Sequence, residues 1–159
     1  MNSLVMLVVV FAAIAAAVLL FAKLKLNKGG GDDAPWPFYA VKAMSAPEQV
    51  LYYRLCKTLP DNLVLAQVGL SRFLRVKKGN NFQHWFNRIN RMSADFVVCA
   101  KDASVLAVIE LDDSSHEGQR NKATDAKKDK ALAAAGIRIV RWSVKSMPDD
   151  AAIKATFKG

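Results

Sequence analysis

The run Val108-Ile-Glu-Leu-Asp-Asp-Ser-Ser-His116 carries an apolar segment straight into three carboxylates and a histidine. Carboxylates gathered beside apolar walls repel one another. They must bind a metal, pair with Lys or Arg, or hold a proton. Oxygen donors of this kind favour a hard ion, Mg²⁺ or Mn²⁺, over zinc. Asp95 opens a second apolar run, Asp95 to Ala100, and adds another acid. Asp125, Lys128 and Asp129 follow at helical spacing and supply countercharge. His116, in the intervening loop, suits donation to a phosphate oxygen or relay of a proton.

Positioning these groups requires particular elements. Side chains alternate along a strand, so Leu106, Val108, Glu110 and Asp112 are expected on one face. A hairpin turning at Lys101 to Ala103 brings Asp95 near Glu110 to Asp112. Asp125, Lys128, Asp129 and Leu132 share one helical stripe. If Leu132 packs on the sheet, Lys128 lies one turn nearer the carboxylates. Ser45-Ala-Pro-Glu48 has the form of a capping box and predicts a helix from Pro47 to Leu59 with Val50, Leu51, Leu55 and Leu59 inward. Strands are expected over Leu63 to Val68, Asp95 to Ala100, Ser104 to Asp112 and Ile137 to Trp142. Helices are expected over Asn80 to Met92, Gln119 to Ala135 (ended by Gly136) and Asp149 to Phe157.

Each residue also has a plainer reading. Glu48 serves as the acid of its capping box, Asp113 as a solvated turn residue and His116 as a surface histidine. Lys127, Lys128 and Lys130 read as an exposed helix face, and Asp95 as a cap on backbone amides. The convergence of acids between apolar strands favours the set over any single member.

The 159 residues carry a formal net charge of +9, which favours an anionic partner, nucleic acid or acidic lipid. Between Asn62 and Ala94 there is no acid. Arg72, Arg75, Lys77, Lys78, Arg88 and Arg91 alternate there with Phe73, Phe82, His84, Trp85 and Phe86. Such a segment neutralises phosphates while a ring stacks on an unpaired base. Two other readings stand beside it: Trp85, Phe86 and Ile89 packing on the core with solvated bases, or bases facing anionic lipid headgroups. Cys56 and Cys99, both within apolar patterns, are expected to be reduced and buried.

Ser3 to Ala22 contains no charge, proline or glycine and is long enough to span a bilayer core. No Lys or Arg precedes it, which argues against a cleaved signal peptide. Lys23, Lys25 and Lys28 follow it, so the positive-inside bias places the N-terminus outside and the rest in the cytoplasm. Residues 27–44 read as a tether, flexible at Gly29-Gly-Gly and stiffer at Pro35-Trp-Pro37, with Trp36, Phe38 and Tyr39 free to rest on the membrane or on the domain.

From Ser45 to Trp142 the chain resembles the PD-(D/E)XK nuclease superfamily. It looks most like a bacterial family of uncharacterised domains related to the very short patch repair endonucleases. The residues that carry the resemblance are Pro-Glu48, Ala-Gln67-Val-Gly-Leu, Ala-Asp95-Phe-Val-Val, Ile-Glu110-Leu-Asp112-Asp-Ser-Ser-His116, Asp125, Lys128-Asp129 and Gly136-Ile-Arg-Ile-Val-Arg141. The resemblance implies an α/β restriction-endonuclease-like α-β-β-β-α-β core with a mixed sheet, after one N-terminal transmembrane helix. It implies one Mg²⁺ (or Mn²⁺) ion held by Asp95 and Glu110, with Asp112 adding to the metal site and the Leu111 carbonyl as a further ligand. Glu48 would assist from the first helix and Gln67 would orient water or phosphate. The superfamily lysine two residues after the glutamate is here Asp112, so Lys128 is expected to supply that cation.

The expectation is therefore a bacterial inner-membrane, single-pass protein whose cytoplasmic domain hydrolyses phosphodiesters in DNA, with RNA as an alternative substrate. Two alternatives differ in class: a nucleic-acid-binding relative without turnover, and a non-enzymatic membrane-associated interaction module. Oligomeric state has no signature in the sequence.

Overall fold

The structure is a computed structural model that describes residues 3–26, 35–112 and 122–158. The chain divides into two compact units, Met1–Val41 and Lys42–Gly159. In the first, α1 (Ser3–Leu26) forms from Leu, Val, Met and Ala, and none of its Met6–Lys23 window is buried. That window has a mean hydropathy of 2.6, so the helix is long and apolar enough to cross a membrane or to act as a signal sequence. Trp36, Phe38 and Tyr39 of the same unit are exposed.

The second unit is mixed α/β. Helix α2 (Ala46–Thr58) starts at the expected capping box. Glu48 N–H donates to Ser45 Oγ, and Ser45 N–H donates to Glu48 Oε2 at 2.6 Å. Leu51, Leu55 and Leu59 point inward, whereas Val50, expected with them, is exposed. A helix turns about 100° per residue, which sets Val50 to the side of the Leu51–Leu55 stripe.

Strands β1 (Leu63–Gly69), β2 (Ser93–Cys99), β3 (Val105–Asp112) and β4 (Arg138–Ser143) form one sheet in that order. The β1–β2 and β2–β3 pairs are antiparallel, and β3–β4 is parallel. A parallel neighbour needs a crossover, here α4 (Lys122–Ala134). Gly136, at φ +71°, takes the left-handed conformation that lets the chain leave α4 for β4. Helix α5 (Asp150–Phe157), capped by Asp149, ends the unit.

The connection from β1 to β2 holds α3 (Phe82–Phe86), shorter than the expected Asn80 to Met92. After Phe86 the chain tightens. Arg88 and Ile89 donate to the carbonyls of Trp85 and Phe86, three residues back, as befits a stretch with asparagines of low helix propensity at 87 and 90.

Each sheet face has its own core. On one, α2 and α5 bring Leu51, Leu55 and Ile153 against Phe96, Val98, Ile109 and Leu111. On the other, Leu132 of α4 meets Val97, Cys99, Val108, Leu70 and Ala94. Strand alternation holds from Ala107 onward but not at Leu106, expected beside Val108 and instead exposed. The register shifts between Val98 and Cys99, and this bulge turns Val105 rather than Leu106 to the α4 side. Cys56 corrects a second expectation: it is exposed, while Cys99 is buried, and both are free thiols.

Candidate functional site

Phe96 pairs with Ile109, so the next position along sets Asp95 opposite Glu110, and Glu110 in turn pairs with Arg141 of β4. Asp95 and Glu110 fall in the same alternation as Val97 and Val108, on the face covered by α4. The hairpin at Lys101 to Ala103 folds β3 back along β2, with Ala103 N–H donating to the Ala100 carbonyl and Ala103 itself at φ +66°. The register shift between Val98 and Cys99 then sets Asp95 opposite Glu110 rather than Ile109. Two acids and an arginine thus form a row across three strands.

Helix α4 completes it. Leu132 is fully buried in the sheet, and one turn earlier Lys128 Nζ donates to Glu110 Oε2 at 2.6 Å. The two side chains are 12% and 10% exposed. Asp129, on the same helix, accepts from Arg141 Nη2. That bond, ahead of other causes, raises the Arg141 guanidinium above its ordinary value, with Asp112 and Glu110 adding to it.

Burial pushes the Glu110 carboxyl above the usual glutamate range. Lys128 opposes that push, Asp95 adds to it, and Arg141 pulls the other way. Oε2 of Glu110 is satisfied, but Oε1 is buried and has no hydrogen-bond donor among the described residues. Asp95 Oδ2 accepts the Leu111 amide at 2.8 Å, so Asp95 also ties the backbone next to Glu110.

The donor set fits a hard divalent ion in part. Glu110 Oε1 is an orphaned buried carboxylate oxygen with a second acid across the strand pair, and Mg²⁺ is commonly held by one or two carboxylates plus water. Among the described residues no group of three or more His, Cys, Asp or Glu side chains is arranged to hold a metal. Asp112 lies on β3 beside Ser143 of β4, is engaged in interactions of its own, and its charge acts on Arg141. His116 lies outside the described residues.

Glu48 and Gln67 meet each other. Gln67 Nε2 donates to Glu48 Oε1 at 2.8 Å, while Glu48 Oε2 holds the Ser45 amide. Gln67 falls between Ala66, paired with Phe96, and Val68, paired with Ala94, and so lies across from Asp95 in the backbone. Its φ of +52° reverses the facing, with Ala66 in one core and Val68 in the other, and sends its amide to α2.

The basic residues of the β1–β2 connection are all on the surface: Arg72, Arg75, Lys77, Lys78, Arg88 and Arg91 are exposed. Trp85 is half exposed beneath the Arg88 guanidinium, 4.8 Å from its ring centre. Phe86 and Ile89 are half-buried, and Ile89 joins the α4-side core, so part of this segment is packing and part is solvated charge. Arg141 is the residue that sequence reasoning left out of the site. Its signal was a charge placed mid-strand after the apolar pair Ile139-Val140, with Asp129 available on the preceding helix.

The family model described as "Protein of unknown function (DUF2726)" matches residues 40–159, and the chain belongs to that family. No curated protein and no solved structure matches the chain.

Proposed function

We propose that this member of the family is a membrane-anchored, Mg²⁺-dependent nuclease-like protein that hydrolyses phosphodiester bonds in DNA. The observation that carries the reading is the placing of Asp95 opposite Glu110 by the β2–β3 register, with Glu110 Oε1 buried and without a donor among the described residues and Lys128 at 2.6 Å from Oε2. The order α2, β1, β2, β3, α4, β4 agrees with a restriction-endonuclease-like core, and we take that as the fold family.

In this reading Asp95 and Glu110 hold the ion, with the Leu111 carbonyl and Asp112 as further oxygen donors. A bound Mg²⁺ lowers the pKa of a coordinated water and neutralises phosphate charge. Lys128, paired with Glu110, would provide the fixed cation that Asp112 cannot. Arg141, pinned by Asp129, holds positive charge beside the same carboxylate. Glu48 and Gln67 brace each other and set the position of β1 relative to α2. The exposed cations from Arg72 to Arg91 neutralise the nucleic acid backbone. Helix α1 anchors the protein in the bacterial inner membrane, N-terminus outside and domain in the cytoplasm.

Titration calorimetry with Mn²⁺ tests the centre: one ion per chain, lost in Asp95→Asn and Glu110→Gln. Equal binding by wild type and both variants would remove the proposed site. A second reading, a nucleic-acid-binding relative without turnover, is favoured by Asp112 in the superfamily's lysine position. It predicts binding of DNA with no cleavage under any metal.

A further inference from the structure

The connection between β1 and β2 does more than expose charge: with α4 it encloses a cavity of about 510 Å³. Five cations line it, Arg75, Lys77, Arg88, Lys127 and Lys130, and no acid does so among the described residues. Its floor is apolar, with Leu74 and Ile89 below and Ala131 and Ala134 along the helix, and the Trp85 indole forms a flat wall. On α4, Lys127, Lys130, Ala131 and Ala134 recur at helical spacing on the cavity side, whereas Lys128 and Leu132 turn to the sheet. The cavity therefore shares helix α4 with the Glu110–Lys128 pair but lies on another side of it.

An occupant must be anionic, partly apolar and flat. The volume lies in the range of small-ligand sites, and five cations with no acid among the described residues lining the cavity favour an occupant with several phosphate-like charges. The planar Trp85–Arg88 stack selects a ring over an acyl chain. We infer that this cavity takes one base-and-phosphate unit of a single-stranded nucleic acid, the base against Trp85 and the phosphates on Lys127 and Lys130. A base enters such a cavity only when it is out of its stack, so single strands or frayed ends are preferred over duplex. The inference rests on the nuclease-like reading for its choice of polymer and for nothing else.

The test uses the full chain in nonionic detergent with EDTA, so that a failed metal centre does not alter the outcome. The probes are a labelled, 5′-phosphorylated ten-residue oligothymidylate, its duplex, adenosine monophosphate and short-chain phosphatidylglycerol, read by fluorescence anisotropy. The single strand binds more tightly than the duplex, and adenosine monophosphate competes. Trp85→Leu weakens binding about five-fold or more, the effect of losing one stacked base. Lys130→Glu, an exposed change that spares the core, weakens it and flattens its salt dependence. Lys154→Ala, on α5 over the opposite sheet face, leaves it unchanged. Unaltered single-strand binding by both Trp85→Leu and Lys130→Glu overturns the inference. So does phosphatidylglycerol binding that those substitutions abolish while oligonucleotide binding survives, which would make the cavity a lipid-headgroup site.

Discussion

Lys128 of α4 closes a 2.6 Å ion pair with Glu110 of β3 at a depth where both side chains are almost fully shielded from water. Two ions at that depth repay their desolvation only through each other. Leu132, one helical turn on, is what holds α4 against the sheet so that the pair forms.

Removing one partner leaves a buried, uncompensated charge. Lys128→Met should therefore destabilise the domain by about 3–5 kcal/mol, measured by urea unfolding. Combining it with Glu110→Leu should restore most of that loss, because neither charge remains. A cost below about 1 kcal/mol for Lys128→Met would mark the pair as an ordinary solvated one.

The raised Glu110 carboxyl gives a signed pH dependence. Burial, then Asp95, make the folded state bind this proton more readily than the unfolded chain does. The stability this proton contributes is present below the ordinary glutamate pKa and is lost as pH rises through the raised folded value. Glu110→Gln should flatten that part of the stability profile. Mn²⁺ binding runs the opposite way, since it needs the carboxylate. It should weaken as pH falls while still above the usual glutamate range, and in the metal-free protein Asp95→Asn should move the stability transition to lower pH.

The two thiols should separate cleanly under native labelling. Cys56 is exposed on α2, whereas Cys99 is buried and burial raises its pKa. A maleimide should modify one cysteine per folded chain, and Cys56→Ser should abolish that fast reaction. Two fast equivalents would contradict the packing of β2.

Much of the site was legible because its determinants are local. The turn at Lys101 to Ala103 brings β3 back along β2 and so Asp95 near Glu110, although the one-residue shift between Val98 and Cys99 sets them directly opposite. The spacing from Lys128 to Leu132 orients α4. Ser45 and Glu48 announced their own capping box. What stayed hidden depends on tertiary geometry. Leu106 left its expected face through a bulge in its own strand, and Gln67 turned to Glu48 through a single left-handed residue. Cys56 looks apolar by neighbourhood, but α2 presents it to solvent. The cavity beside Trp85 unites segments some forty residues apart in sequence, so no periodicity reveals it.

The exposed cations predict a salt signature. Binding of duplex DNA should weaken linearly in log–log form, by roughly 0.9 per phosphate contacted. Arg72→Ala and Arg91→Ala should each reduce that slope by about one contact, whatever the DNA sequence. Unchanged slopes for both would leave those arginines as solubilising charge.

Cleavage itself is the decisive measurement: the full chain in nonionic detergent with supercoiled plasmid and labelled single strands, in Mg²⁺, Mn²⁺ or EDTA. The account predicts strand scission by the wild type only with a divalent ion, falling to background in Asp95→Asn and in Glu110→Gln while both variants stay folded. Scission in EDTA, or equal rates in the wild type and the two variants, would contradict it.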